Sequence, residues 1–329
     1  MALKKVLPGV ALCFLIAVPC FFLGRRFPII GGPIFGILCG MVLAFWRRPA
    51  VLDAGVKYTG KKILQYAIIL LGFAMNLRVV VQVGGQSLLV MIFTLAAAFL
   101  TAWLVGRALK LHGNVPILIG VGTAICGGSA IAAAAPVVRA SDKDMAFSIS
   151  TIFLFNVLAV FIFPALGHLM NMNDMVFGMW AGTAINDTSS VVAAGYAYSD
   201  AAGSYATIVK LTRTLMIIPV TMALALWMTK KAKAEGTANY SIRKIFPWFV
   251  LGFLAASILT TVGVVPAAAG DFLAEAGKFC IIAAMAAIGL NTRIQDLIKN
   301  GLRPIALGLS CWFAVAVVSL ICQYFMGMF

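Results

Sequence analysis

Two stretches of this chain, Gly122 to Ala134 (GTAICGGSAIAAA) and Gly182 to Ala194 (GTAINDTSSVVAA), put glycines, hydroxyl residues and a carboxylate inside segments apolar enough to cross a bilayer. Lipid offers no hydrogen-bond partner, so a helix interrupted at that depth survives only where its loose backbone groups are buried in protein or line a cavity. The expectation is therefore a pair of discontinuous helices, broken near residues 126–129 and 186–190, around a solute site close to the membrane midplane.

With 63% hydrophobic and 11% charged residues over 329 positions, the chain reads as an all-α integral membrane protein. A single polytopic domain over residues 1–329 is expected, with no soluble domain. At roughly 20 apolar residues per crossing, about eleven transmembrane helices, between ten and twelve, are expected. Val115 to Val138 and Val176 to Tyr196 count as two of them, crossing in the same direction.

A net charge of +15 could signal nucleic acid, but the placement of the basic residues excludes it. On eleven spans, 17 Lys and Arg fall in loops on the N-terminal side and 5 on the other, namely Arg25, Arg26, Arg78, Arg139 and Lys143. That bias predicts a cytoplasmic N-terminus and an external C-terminus in a bacterial inner membrane. No small-x-small cleavage site follows the first apolar run, which argues against a removed signal. The seven cysteines lie in apolar segments without paired spacing, so neither disulfides nor a metal centre is expected.

Two internal similarities point to a repeat. Residues 122–134 match 182–194 at seven of thirteen positions, and 69–107 align with 286–324 through LLGFAMNLR and AIGLNTR. The second pair would run in opposite directions, as in inverted-repeat transporters. Shared local geometry of helix-end glycines stays open as the alternative to common ancestry.

The residues expected to hold a solute lie in these breaks: Thr123, Cys126, Gly127, Gly128 and Ser129 in the first, and Asn186, Asp187, Thr188, Ser189 and Ser190 in the second. Gly127 and Gly128 free the backbone, and Ser129 is placed to cap a half-helix running through Ala130 to Ala135. Helix N-termini there would cradle an anion. A carboxylate at that depth costs about 2.5–3.5 kcal/mol on insertion scales and needs a partner or a cavity. Lys210 and Arg213, one turn apart on the next span, are the expected partners and the source of positive charge. Asp187 is the candidate for coupling, whether to protons or to sodium. No catalytic constellation, metal ligand set or cofactor motif stands out, so an enzyme is not expected.

The blocks GTAICGGSAIAAAAPVV, GTAINDTSSVVAAGYAYSDAAGSYATIVKLTR and LLGFAMNL resemble a bacterial inner-membrane family labelled as sulfate exporters, over nearly the whole chain. That family is grouped with the cation/proton antiporter and bile-acid/arsenite/riboflavin transporter superfamily. The resemblance implies an inverted-repeat fold whose discontinuous helices cross at the substrate site. Where family members often carry His in the acidic motif, this chain has Asn186, which leaves Asp187 as the better proton carrier. The expected function is secondary active transport, in the export direction, of a small anion such as sulfate or a sulfonate. The alternatives are a sodium- or proton-coupled cation antiporter, an organic-anion symporter, or a non-transporting sensor or assembly subunit. Lipid and a small anionic solute are the expected partners, and a homo-oligomer is left open.

Overall fold

The computed structural model describes residues 2–27, 32–45, 48–111, 113–231, 248–292 and 302–329. Of the basic loop positions, Arg47, Lys233, Arg243, Lys244, Arg293 and Lys299 lie outside the described residues, as does His112. The described chain is all helical. Six of its helices are long and apolar enough to cross a membrane: Lys5–Arg26, Leu77–Ala108, Lys143–Leu169, Asp200–Met228, Ala267–Asn291 and Leu302–Phe325. Shorter apolar helices accompany them, so the expectation of eleven full crossings is met only in its coarser form.

The helices sort into two bundles. The first holds α1 (Ala2–Arg26), α2 (Gly32–Leu43), α3 (Asp53–Tyr58) running through a π-turn into α4 (Leu64–Gly72), α13 (Trp248–Thr261) and α14 (Ala267–Asn291). Small residues let α2 and α14 lie side by side: a Cβ on Gly40 would sit 2.9 Å from the Cα of Gly289. Close backbone approach of this kind replaces the hydrophobic drive that membranes lack. Helix α13 satisfies the carbonyls left loose where α4 ends. The Ser257 hydroxyl donates to Gly72 O at 3.1 Å, and the Thr260 hydroxyl to Phe73 O at 2.8 Å.

The second bundle holds α5 (Leu77–Ala108), α6 (Val115–Ala124), α7 (Gly128–Ala134), α8 (Asp142–Leu169), α9 (Asp174–Ala184), α10 (Thr188–Tyr198), α11 (Asp200–Leu215), α12 (Ile217–Lys231) and α15 (Leu302–Phe325). Helix α8 begins at a capping box in which Ser141 and Asp144 exchange hydrogen bonds. Its 28 residues make it about 42 Å long, so its two ends lie beyond opposite faces of a hydrocarbon core about 30 Å thick.

Neither interrupted segment crosses the membrane. Both fold back. Gly113, before α6, and Asp144, in the first turn of α8, are neighbours: a Cβ on Gly113 would meet Asp144 Oδ1 at 3.3 Å. Inside the hairpin, a Cβ on Gly122 would come within 2.9 Å of Ile131 Cδ1. A continuous helix would separate those two residues by about 13 Å. The second hairpin closes at the far end of α8. There the Ser199 hydroxyl donates to Asp174 Oδ1 at 2.5 Å and the Tyr198 hydroxyl donates to Met172 O. The Tyr198 ring stacks on Phe177 at 3.9 Å and on His168, in the last turn of α8, at 4.3 Å between centroids.

The two expected crossings, Val115 to Val138 and Val176 to Tyr196, are therefore re-entrant helical hairpins, α6–α7 and α9–α10, inserted from opposite ends of α8. The same-direction reading is overturned by these contacts. A segment of about twenty apolar residues suits either one crossing or two half-depth arms, and hydropathy alone does not separate them.

The bundles meet mainly through α10 against α2 and α14, and through α13 against α5. At the end where the second hairpin closes, Lys278 of α14 bridges Glu275 of its own helix at 2.8 Å and Asp200 of α11 at 2.9 Å. A cavity of about 410 Å³ opens beside this bridge, between the two bundles.

Candidate functional site

The hairpin tips meet beside the middle of α8, against α11. The first tip turns at Ile125–Gly127, where Gly127 takes φ 70°, ψ −130° and becomes the N-cap of α7. That conformation is open to glycine and strained for other residues. Helix α7 thus starts at Gly128, and Ser129, expected as the cap, lies exposed in its first turn. The second tip turns at Ile185–Asp187. Asp187 is the N-cap of α10: its carboxylate accepts from Ser189 N at 3.0 Å and from the Ser189 hydroxyl. The Asp187 N–H donates to Asn156 Oδ1, at the middle of α8, at 3.1 Å.

Lys210 and Arg213 are fully buried on α11 and hold both tips at once. Lys210 Nζ donates to Ile125 O at 2.7 Å and to Ile185 O at 2.9 Å. From Arg213, Nε donates to Ala124 O at 2.7 Å, Nη2 to Thr123 O at 2.8 Å and Nη1 to Thr183 O. All five acceptors are carbonyls at the C-terminal ends of α6 and α9, where the backbone has no intrahelical donor left and the helix dipole is negative. The expected pairing with Asp187 is thus replaced by main-chain capping. Two desolvated cations are compensated by two helix C-termini and one nearby carboxylate, so the excess of positive charge anticipated from the residue list is largely cancelled locally.

Polar groups and the Ile152 side chain both border the first tip. A Cβ on Gly128 would meet nothing within 4 Å, whereas one on Gly127 would lie 3.5 Å from both Asn156 Nδ2 and Asp187 Cβ. Asp187 is half-buried, and Thr188, Ser189 and Ser190 are buried behind it. Asn186 is 1% exposed, and neither atom of its amide has a hydrogen-bond partner among the described residues; the Thr123 hydroxyl is likewise unpartnered. Buried polar groups in that state suit a polar guest. Cys126 is buried at the first tip and packs in the apolar cluster with Ile125, Ile131 and Ile152.

Residues 8–308 match the family described as Conserved hypothetical protein 698. The chain is 45% identical to a UPF0324 membrane protein of Fusobacterium nucleatum, covering 99% of this chain and 100% of that one. It is 47% identical to a UPF0324 membrane protein of Streptococcus mutans (99% of each) and 48% identical to one of Streptococcus pyogenes serotype M3 (98% of each). The chain belongs to the UPF0324 membrane protein family. No solved structure matches it. The names of these relatives say membrane protein and do not mention sulfate or export.

In this UPF0324 protein, three further residues serve the tips. Asn156 was visible in the sequence only as a lone polar group in an apolar span. Ser319 of α15 shares a hydrogen bond of 2.6 Å with the Thr183 hydroxyl, and Trp180 Nε1 donates to Ala316 O at 3.1 Å. These anchor the second hairpin to α15. Ser319 carried no sequence signal beyond being a hydroxyl on an apolar helix.

Proposed function

We propose that this protein is a secondary active transporter of a small anion, sulfate- or sulfonate-like, working by alternating access. The observation that carries the reading is a pair of re-entrant hairpins, inserted from opposite ends of α8, whose polar tips are tied to one helix by Lys210 and Arg213. Half-depth hairpins with unpaired polar groups at their meeting point suit a site that opens to one face of the membrane at a time. Ser129, together with the unpartnered Asn186 amide and Thr123 hydroxyl, would bind the anion, with Thr188 and Ser190 beside them. Asp187 would couple the cycle to a proton or to sodium, because it is the partly exposed charge at the tips while Lys210 and Arg213 are fully buried.

The fold-back also refines the orientation. Arg139 and Lys143 move to the end of α8 that holds Lys110, and the tally of 17 basic residues against 5 becomes 19 against 3. The 19-to-3 bias supports an orientation with the first hairpin, the N-terminus and this end of α8 in the cytoplasm, and the second hairpin and the C-terminus outside. The opposed hairpins, together with α5 packing antiparallel to α15 through Gly106 with Leu307 and Ala98 with Cys311, support inverted symmetry between 69–107 and 286–324.

Half-buried Asp187 also supports a second reading, a cation-coupled antiporter in which the carboxylate itself is the ion site. Reconstituted protein in sealed vesicles separates the two. Accumulation of labelled sulfate or a sulfonate driven by a pH or sodium gradient supports the first. Gradient-driven cation exchange that needs no anion supports the second. No movement of any of these solutes sinks the transport assignment and leaves the sensor or assembly reading.

A further inference from the structure

On the flank of the second bundle, at the basic end of α8, lies a cavity of about 570 Å³ that the hairpin site does not use. Its walls come from three elements: Trp103 and Arg107 on α5, Pro116 and Ile117 at the start of α6, and Leu224 and Trp227 on α12. Helices α5 and α12 belong to segments long and apolar enough to span the bilayer. Their outward residues beside the cavity, Leu100, Trp103, Leu104, Leu226 and Trp227, are between 48% and 65% exposed, so its mouth faces acyl chains. Tryptophans on such helices sit at the level of the lipid headgroups. Arg107 lies one turn beyond Trp103, followed by exposed Lys110, so the groove is apolar below and cationic at its rim.

We propose that this groove binds one anionic diacyl phospholipid of the leaflet at the basic end. An acyl chain lies between Trp103 and Trp227 over Ile117, and the headgroup phosphate is met by the Arg107 guanidinium. Planar guanidinium groups suit phosphate, and basic pockets between membrane helices on the cytoplasmic side are where anionic headgroups collect. Pro116 and Ile117 form the first turn of the outgoing arm of the first hairpin. A lipid seated in the groove therefore braces that arm against α5, and anionic lipid sets how readily the hairpin moves. This site stands apart from the tips and does not depend on what, if anything, is transported.

The test uses full-length protein in detergent, titrated with phosphatidylglycerol or phosphatidylcholine and read by native mass spectrometry. The expected result is a preference for phosphatidylglycerol of about fivefold, the worth of one basic residue near an anionic surface. Arg107→Gln should remove the preference. Trp103→Leu with Trp227→Leu should weaken both lipids alike. All variants should keep the wild-type helical signal. Phosphatidylglycerol brominated on its acyl chains should quench Trp103 and Trp227 more than buried Trp180 and Trp312. Equal binding of the two lipids by the wild type, or a preference that survives Arg107→Gln, overturns the proposal. So does a dimer cross-linked through position 227 that lipid fails to displace, because a second copy would then occupy the groove.

Discussion

Among the described residues Arg213 is the largest fully buried side chain, and three of its donors go to the carbonyl ends of two different hairpins. Hydrogen bonds from a charged group contribute about 1.5–3 kcal/mol each, so Arg213→Met should cost at least about 3 kcal/mol. Thermal unfolding in detergent reads this, with Arg213→Lys recovering part of the loss by restoring charge without the fork. Asp187→Asn should behave differently. Asparagine caps a helix about as well as aspartate, so the fold should hold within about 1 kcal/mol while the pH dependence of flux disappears. An intact pH profile in that variant would remove Asp187 from the coupling role. The sequence showed which residues are polar at depth, but not what they touch: Lys210 and Arg213 share a helix face as their spacing requires, yet their partners are backbone oxygens, which carry no side-chain signature.

The first hairpin depends on a turn that few residues can make, whereas the second turns through ordinary extended backbone at Ile185 and Asp187. Gly127, at φ 70°, admits Ala only with strain of about 1–3 kcal/mol, and Gly127→Ala should lower the melting temperature although the added methyl finds room at 3.4 Å and beyond. The fold-back itself is checked by topology. A cysteine at Asp142 and one at Asn171, at opposite ends of α8, should react with an impermeant thiol reagent from opposite sides, with position 171 labelled in intact cells. The same-direction arrangement reverses both results. One clue to the hairpins was present in the sequence, since Arg139 and Lys143 stood on the side otherwise poor in basic residues. Their charge disagreed with a through-crossing, and the fold resolves the disagreement by returning the chain to the side it left. The break points were legible because glycine and polar residues at depth have few physical explanations. The direction of the arms was not, because it is fixed by contacts such as Ser199 with Asp174 that join residues 25 apart.

At the scale of the molecule, the bundle that carries the hairpins touches the other along α10 and α5, and the Lys278 bridge to Asp200 crosses that seam. If the bundles move against each other during a cycle, a cysteine pair at positions 200 and 278 joined by a short thiol cross-linker should stop flux, and a cleavable linker should restore it on reduction. Flux at the wild-type rate in the joined protein would show that the seam stays closed. One helix holding both tips has a further consequence. Neither finger of the clasp can open alone while Lys210 and Arg213 keep their grip, so the two fingers are obliged to travel as one piece.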